Sequence, residues 1–273
     1  MDHPSLTLTT DPLPRPSQGI LDYPQTERPH SCITLQARHN RQGQAIVLAE
    51  CRLLNAKILP MPNVRSSKRR AKKIKLILFD VDGVLTDGKI FVFPAPAGAQ
   101  QIVSAHVAQQ AGQGGFALHS QTLIEAKGFH AHDGTAISLA RLAGIKTGLI
   151  TKRISETVAL RARDLKMDHV HQGIQDKLTV FEEILRQEGI LPDEAAFVGD
   201  DVIDLPVMRN CGLAIAVANA REEVKRDAHF VTPHGGGDGA ARDAVEYILK
   251  AQGKWKRVVS EYICERSPQK TST

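Results

Sequence analysis

Aromatic side chains are scarce, with Phe, Tyr and Trp making up 4% of the 273 residues. That scarcity excludes a stacking platform for single-stranded nucleic acid, which needs successive aromatic faces. Cysteine is also rare. Cys32, Cys51, Cys211 and Cys264 lie far apart and form no CxxC pair. Neither a disulfide framework nor a zinc site is therefore expected, and a reducing compartment fits. No apolar run approaches the length a membrane-spanning helix needs. The amino-terminal MDHPSLTLTTDPLPRP lacks the charged-then-apolar order of a secretory signal. A soluble cytoplasmic protein with no membrane span is expected.

The net charge of +5 suggests a nucleic-acid partner until the charges are placed. Arg65, Lys68, Arg69, Arg70, Lys72, Lys73 and Lys75 crowd into eleven residues without an acid, and removing these seven leaves 28 basic against 30 acidic side chains. The basicity is local, so the run reads as a solvated leader and nucleic acid is not an expected partner. Hydrophobic residues at 42% are enough to build a core over most of the length.

Composition shifts near residue 73. Eight of the fourteen prolines precede residue 63, so residues 1–72 read as a poorly ordered extension ending in the basic run. Within it, Ala45 to Leu59 has the pattern of one short amphipathic helix stopped by Pro60 and Pro62; a start at Met61 is the open alternative. Residues 73–256 are regular. Apolar strands are predicted at Ile74–Phe79, Ile145–Thr151, His169–Gly173, Ala195–Asp201 and Leu213–Ala218, with an edge strand at His229–Thr232. Helices are predicted to close over Ser138–Gly144, to run from Ser155 to Met167 and Asp176 to Gly189, and to lie around Leu205–Asn210. A last helix is predicted over Asp238–Lys254, and residues 257–273 read as a tail. Alternation of this kind predicts an α/β fold, a doubly wound parallel sheet covered on both faces. Phe93 to Thr122 breaks the rhythm: it carries no Asp, Glu, Lys or Arg and is too long for an ordinary connection, so it reads as a flap or insertion. VSAHVAQQ within it has helical character.

In such sheets ligands bind beyond the carboxyl ends of the strands, and polar groups stand at four such ends. The first strand delivers Asp80 and Asp82, the second ends in Thr151-Lys152-Arg153, Lys177 opens the helix after the third, and the fourth ends in Asp200-Asp201 with Asp204 beyond. Clustered carboxylates call for a hard divalent cation, and an all-oxygen set suits Mg²⁺. A hydroxyl and an ammonium suit a phosphate dianion, and an Asp beside both can act as a nucleophile while a second moves protons. Each residue has a plainer reading as a turn former, helix cap or surface lysine. Those readings would have to hold independently at four strand ends in one order.

The segments Asp80-Val81-Asp82-Gly83-Val84-Leu85-Thr86, Thr151, Lys177 and Gly199-Asp200-Asp201-Val202-Ile203-Asp204 resemble the four motifs of the haloacid dehalogenase superfamily. FDVDGVLTDG (79–88), KGFHAHDGTAI (127–137), HQGIQDK (171–177), VGDDVIDLPVM (198–208) and GGDGAARD (236–243) are similar within it to phosphatases of 3-deoxy-D-manno-octulosonate 8-phosphate. The resemblance implies a capless Rossmann-like domain, a β-hairpin flap after the first strand, a homotetramer and a sugar-phosphate substrate. It implies Asp80 as nucleophile and Mg²⁺ ligand, and Asp82 as general acid/base that also offers its backbone carbonyl to the ion. Asp200 becomes the third protein ligand, supported by Asp201. Thr151 and Lys177 hold the phosphoryl group with Lys152 and Arg153 alongside, and Asp204 orients Lys177.

Three departures stand out. Lys152 replaces the usual Gly, the flap is longer than usual and clouds the roles of Lys127 and Asp133 at its end, and Asp238 stands where a base is common, with Arg242 either a substitute or a residue that only packs on the helix. A nonulosonate 9-phosphate phosphatase and a non-catalytic oligomerisation module remain the alternatives.

Overall fold

The computed structural model describes residues 35–39, 45–49, 64–94, 116–117 and 123–266. The chain divides into two units, Met1–Ile58 and Leu59–Thr273. In the first, strands β1 (Leu35–His39) and β2 (Ala45–Ala49) pair antiparallel, with Leu35 opposite Ala49 and His39 opposite Ala45. This corrects the helix expected from Ala45. A short apolar run such as Ala45-Ile46-Val47-Leu48 suits either period. Its β-branched pair and the nearby LQARH partner decide for the strand. Residues 50–59 of the expected helix lie outside the described residues.

The second unit opens with helix α1 (Val64–Ala71). The first part of the basic run, Arg65 to Arg70, is therefore in a helix packed on the fold and not in a solvated leader ahead of the first strand. Its inner face buries Ser67 and Ala71, the Ser67 hydroxyl lies 2.6 Å from the Tyr247 hydroxyl, and Arg70 donates to the Gly212 carbonyl. Basic residues occupy the outer face, as helical spacing allows.

Strand β3 (Leu76–Phe79) follows, then β4 (Phe91–Pro94), β5 (Phe116–Ala117), β6 (Leu123–Ala126), helix α2 (Ala131–Leu142), β7 (Lys146–Ile150) and β8 (Arg153–Ile154). Next come α3 (Glu156–Asp164), β9 (His169–His171), α4 (Lys177–Glu188), β10 (Ala195–Gly199), α5 (Leu205–Met208) and β11 (Leu213–Ala216). The chain closes with α6 (Glu222–Asp227), β12 (Phe230–Val231), α7 (Ala240–Ala251) and α8 (Trp255–Arg266). The helix expected over Asp238–Lys254 thus ends early, where Gly253 takes a left-handed turn (φ +71°). A further helix occupies much of the expected tail and buries Val258 completely.

Six strands form one sheet in the order β12-β11-β10-β3-β7-β9, every pair parallel. Leu76–Phe79, Ala195–Gly199 and Leu213–Ala216 are buried along their whole length. This is what continuous apolar runs predict for parallel strands covered on both faces. Helices α1, α2, α7 and α8 pack on one another as one group, and α4, α5 and α6 as another. The predicted doubly wound sheet is present, and β12 is the edge strand expected at His229–Thr232. From β3 the chain moves out to β7 and β9, then returns to β10 on the other side. The switch point lies between β3 and β10.

The flap is a two-stranded hairpin in which β4 pairs antiparallel with β6, Phe91 opposite Ala126. Within the excursion, β5 adds a short parallel pairing to β8. VSAHVAQQ lies outside the described residues.

Candidate active site

Asp80 follows the last residue of β3, and its N–H donates to Val198 O on β10 (3.0 Å). From there Val81–Thr86 turns tightly: the N–H groups of Val84, Leu85 and Thr86 all donate to Val81 O, and the Thr86 hydroxyl adds a fourth bond at 3.2 Å. Gly83 is required in this turn. Its φ is +96°, and a Cβ there would fall 2.1 Å from Asp200 Oδ2. Gly236 seals the turn from the other side, since a Cβ on it would meet Gly83 O at 1.7 Å. The Gly236 N–H donates to Asn219 Oδ1 (2.7 Å) and the Gly237 N–H to Val84 O (3.1 Å).

Strand ends bring the other residues in. Asp176 caps α4 by accepting from the N–H groups of Leu178 and Thr179 (3.1 and 3.2 Å), which starts the helix so that Lys177 lies in its first turn. The buried Lys177 ammonium reaches Asp80 Oδ1 (3.0 Å) and Asp204 Oδ1 (2.8 Å). The second Asp204 oxygen accepts from the N–H groups of Asp200 and Asp201 (3.0 and 3.4 Å). Asp204 is fully buried, with one oxygen on the Lys177 ammonium and the other on two backbone N–H groups. Asp201 accepts from the Val202 N–H (2.7 Å) and caps the short turn over Val202–Asp204.

Carboxylate oxygens of Asp80, Asp200 and Asp204 lie within 4.8 Å of one another. Burial pushes the Asp80 carboxyl up to about 7, opposed by the Lys177 ammonium and reinforced by Asp204. Burial also raises Asp200 to about 7, with the Asp80, Asp204 and Asp201 carboxylates adding to it. Two neighbouring carboxyls that resist ionisation, Asp80 buried and Asp200 half-buried with one unpartnered oxygen (Asp200 Oδ1) out of contact with solvent, fit a hard cation of the Mg²⁺ type. Lys177 is held charged against its burial by Asp80 and Asp204.

A pH signature follows. Because the folded-state values lie near 7 against an ordinary 3.8, these two groups cost the metal-free fold nothing below about pH 4. Their cost to the metal-free fold grows as pH rises from there toward 7. A divalent cation therefore stabilises most above pH 7. Between pH 5.5 and 8, the Tm gain on adding Mg²⁺ to EDTA-treated protein should grow by at least about 4 °C, and Asp200→Asn should flatten that rise. An equal gain at both pH values would refute the assignment.

Thr151 is buried beyond β7, whose Leu149 pairs with Phe79 of β3. Its N–H donates to His171 O and its carbonyl accepts from the Ile174 N–H. Lys152 stands where a Gly was expected, yet among the described residues only Lys166 has a left-handed backbone without being glycine. No Gly-only conformation is needed there. Asp82 and Arg153 belong to a second cluster. The buried Lys127 ammonium pairs with Asp82 Oδ1, and the Arg153 guanidinium lies 3.1 Å from Glu125 Oε2 and 3.8 Å from Asp82 Oδ2.

Asp133 packs away from this cluster: one oxygen accepts from the Arg242 N–H (2.9 Å) at the start of α7. Arg242 itself pairs with Glu246 and lies over the Trp255 ring, the plainer of its two expected roles. Cys211 is a buried core residue whose thiol burial pushes up to about 12. Sequence reasoning missed Glu125 and Asn219. Glu125 had a signal, as the first acid after the long neutral segment, whereas Asn219 had none.

A family model for haloacid dehalogenase-like hydrolases matches residues 149–242. The 3-deoxy-D-manno-octulosonate 8-phosphate phosphatase KdsC of Escherichia coli K12 is 36% identical over 185 residues, spanning 68% of this chain and 84% of that protein. Among solved structures, the phosphatase of the same name from Moraxella catarrhalis, in complex with magnesium, phosphate and KDO, is 31% identical with a TM-score of 0.61. The match covers 73% of this chain and 99% of that one. A probable YrbI-family phosphatase from Pseudomonas syringae is 36% identical with a TM-score of 0.60, covering 73% and 98%.

Proposed function

This chain belongs to the haloacid dehalogenase-like hydrolases, and we propose that it is a Mg²⁺-dependent phosphatase releasing inorganic phosphate from 3-deoxy-D-manno-octulosonate 8-phosphate. The observation that carries this reading is the convergence on one crevice of Asp80, Lys177 and Asp200, with Asp204 holding the last two in place. The Asp80 and Asp200 carboxylates and the Asp82 backbone carbonyl would hold the ion. When bound, it supplies the positive charge that lets a phosphoryl dianion lie beside two carboxylates.

Asp80 attacks phosphorus with its free oxygen, forming an aspartyl-phosphate as the bond to the sugar oxygen breaks. Asp82 gives its proton to that leaving oxygen. It then takes a proton from a water that attacks the same phosphorus, which frees Asp80 and phosphate. Lys177 and the Thr151 hydroxyl neutralise and orient the phosphoryl oxygens through both steps, with Lys152 and Arg153 at the rim.

We place the enzyme in the cytoplasm as a homotetramer. The free Cys211 and Cys264 support the first placement. The apolar strand Phe91-Val92-Phe93, nearly half exposed at 47, 47 and 46%, supports a chain covering the hairpin. No helix among the described residues is long and apolar enough to cross a membrane.

The test is phosphate release from the eight-carbon substrate, with Mg²⁺ and with EDTA, beside a nonulosonate 9-phosphate and p-nitrophenyl phosphate. The expected result is metal-dependent turnover with kcat/KM for the eight-carbon sugar at least about tenfold above the nine-carbon one. Preference for the nine-carbon sugar would overturn the substrate. Inertness toward all three would overturn the reaction.

A further inference from the structure

Four charged side chains close a ring around Asp82, two residues beyond Asp80. Lys127 pairs with Asp82 and also lies 3.8 Å from Glu125; Arg153 lies 3.1 Å from Glu125 and 3.8 Å from Asp82. Each ion thus has two neighbours of opposite charge, and the ring as a whole is neutral. Three of its side chains are sheltered, with Lys127 fully buried, Glu125 9% exposed and Asp82 20% exposed, while Arg153 is 31% exposed. Sheltered pairs of this kind depend strongly on every member, because removing one leaves a buried charge uncompensated.

The members come from three segments. Asp82 stands on the turn after β3 and Arg153 starts β8 beyond Thr151. Glu125 lies on β6 of the hairpin, with Lys127 just past its end. The hairpin is thereby tied to two loops of the site at once. The Arg153 Nε is buried with no hydrogen-bond partner, so Glu125 is the nearest acceptor fixing that guanidinium.

We propose that Glu125 is a positioning residue: by dividing Lys127 and Arg153 between itself and Asp82, it sets the orientation of the Asp82 carboxyl. The proposal rests on the reading of Asp82 as the proton-moving group. Without Glu125, both cations turn on Asp82 alone and hold it away from the leaving oxygen. Glu125 pairs with Lys127 and Arg153 but with none of Asp80, Lys177 and Asp200, so its loss frees Arg153 at the rim while the groups that grip the phosphoryl oxygens stay in place.

The experiment compares wild type, Glu125→Gln, Lys127→Met and the double variant on whichever phosphate ester the wild type turns over, p-nitrophenyl phosphate included. A wrong sugar therefore leaves the test intact. For Glu125→Gln, kcat should fall at least tenfold with KM within twofold, and the apparent Mg²⁺ affinity and the Tm gain on adding Mg²⁺ should match wild type. In the Lys127→Met background the same substitution should have a much smaller effect, the mark of two residues acting as one unit. Glu125→Asp should recover part of the loss. The proposal is overturned if kcat stays within twofold, if KM alone rises, or if the two substitutions act independently. A wild type inert toward every ester would remove this proposal together with the reading beneath it, whereas activity with an unmoved Glu125→Gln removes this proposal alone.

Discussion

Asp80→Asn should lower phosphate release by at least about four orders of magnitude while leaving the fold intact. Loss of a covalent nucleophile removes a whole reaction route, and such losses are among the largest single-residue effects known. An amide of the same shape still accepts from Lys177 and the Val81 N–H, which now bond Asp80 Oδ1 at 3.0 and 2.7 Å. The substitution also removes one of the three clustered carboxylate charges, so the metal-free Tm at pH 8 should not fall. Phosphate release and a thermal melt on the same preparation check both halves. A loss below tenfold would mean that another group attacks phosphorus.

Asp204→Ala should have the largest effect on stability. It strips Lys177 of one of its two carboxylate partners and leaves the N–H groups of Asp200 and Asp201 without an acceptor. Removing one partner of a buried, hydrogen-bonded charge costs on the order of 3–5 kcal/mol. Urea unfolding should show the midpoint falling with the slope unchanged, and Tm should drop by roughly 10 °C. Asp204→Asn keeps one acceptor oxygen and should fall between the two. A loss below about 1 kcal/mol for the alanine variant would show that the backbone of Asp200 and Asp201 finds other partners.

The sheet was legible because its strands are buried on both faces. LILF, AAFVG and LAIA are apolar without interruption, and in the first two an aspartate directly after the strand, Asp80 or Asp200, marks where it leaves the core. Lys177 and Asp204 were legible for the same reason, as charges set at fixed places beside strand ends. Local pattern failed where tertiary pairing decides. Ala45–Ala49 became a strand because Leu35–His39 lies across from it, and α1 formed from a run whose charges hid the buried spacing of Ser67, Ala71 and Ile74. The ring around Asp82 was out of reach as well. Its members lie 28 and 45 residues apart along the chain, and only the fold shows that Glu125 faces Arg153.

The strand order also bears on how this chain comes to be folded. β3 and β10 are neighbours in the sheet although more than a hundred residues separate them, and Gly236 must still close on the turn at Gly83. Contacts between such distant segments form late and slowly, because the intervening loop entropy is lost before they reward it. During synthesis, Asp80 emerges long before Asp200, Asp204 and the Gly236 loop exist. Until those segments arrive, the nascent chain carries β3, one of its most apolar strands, with an unpaired edge. The interval between ribosomal release of residue 80 and of residue 240 is therefore the window in which this protein is most exposed to misassociation.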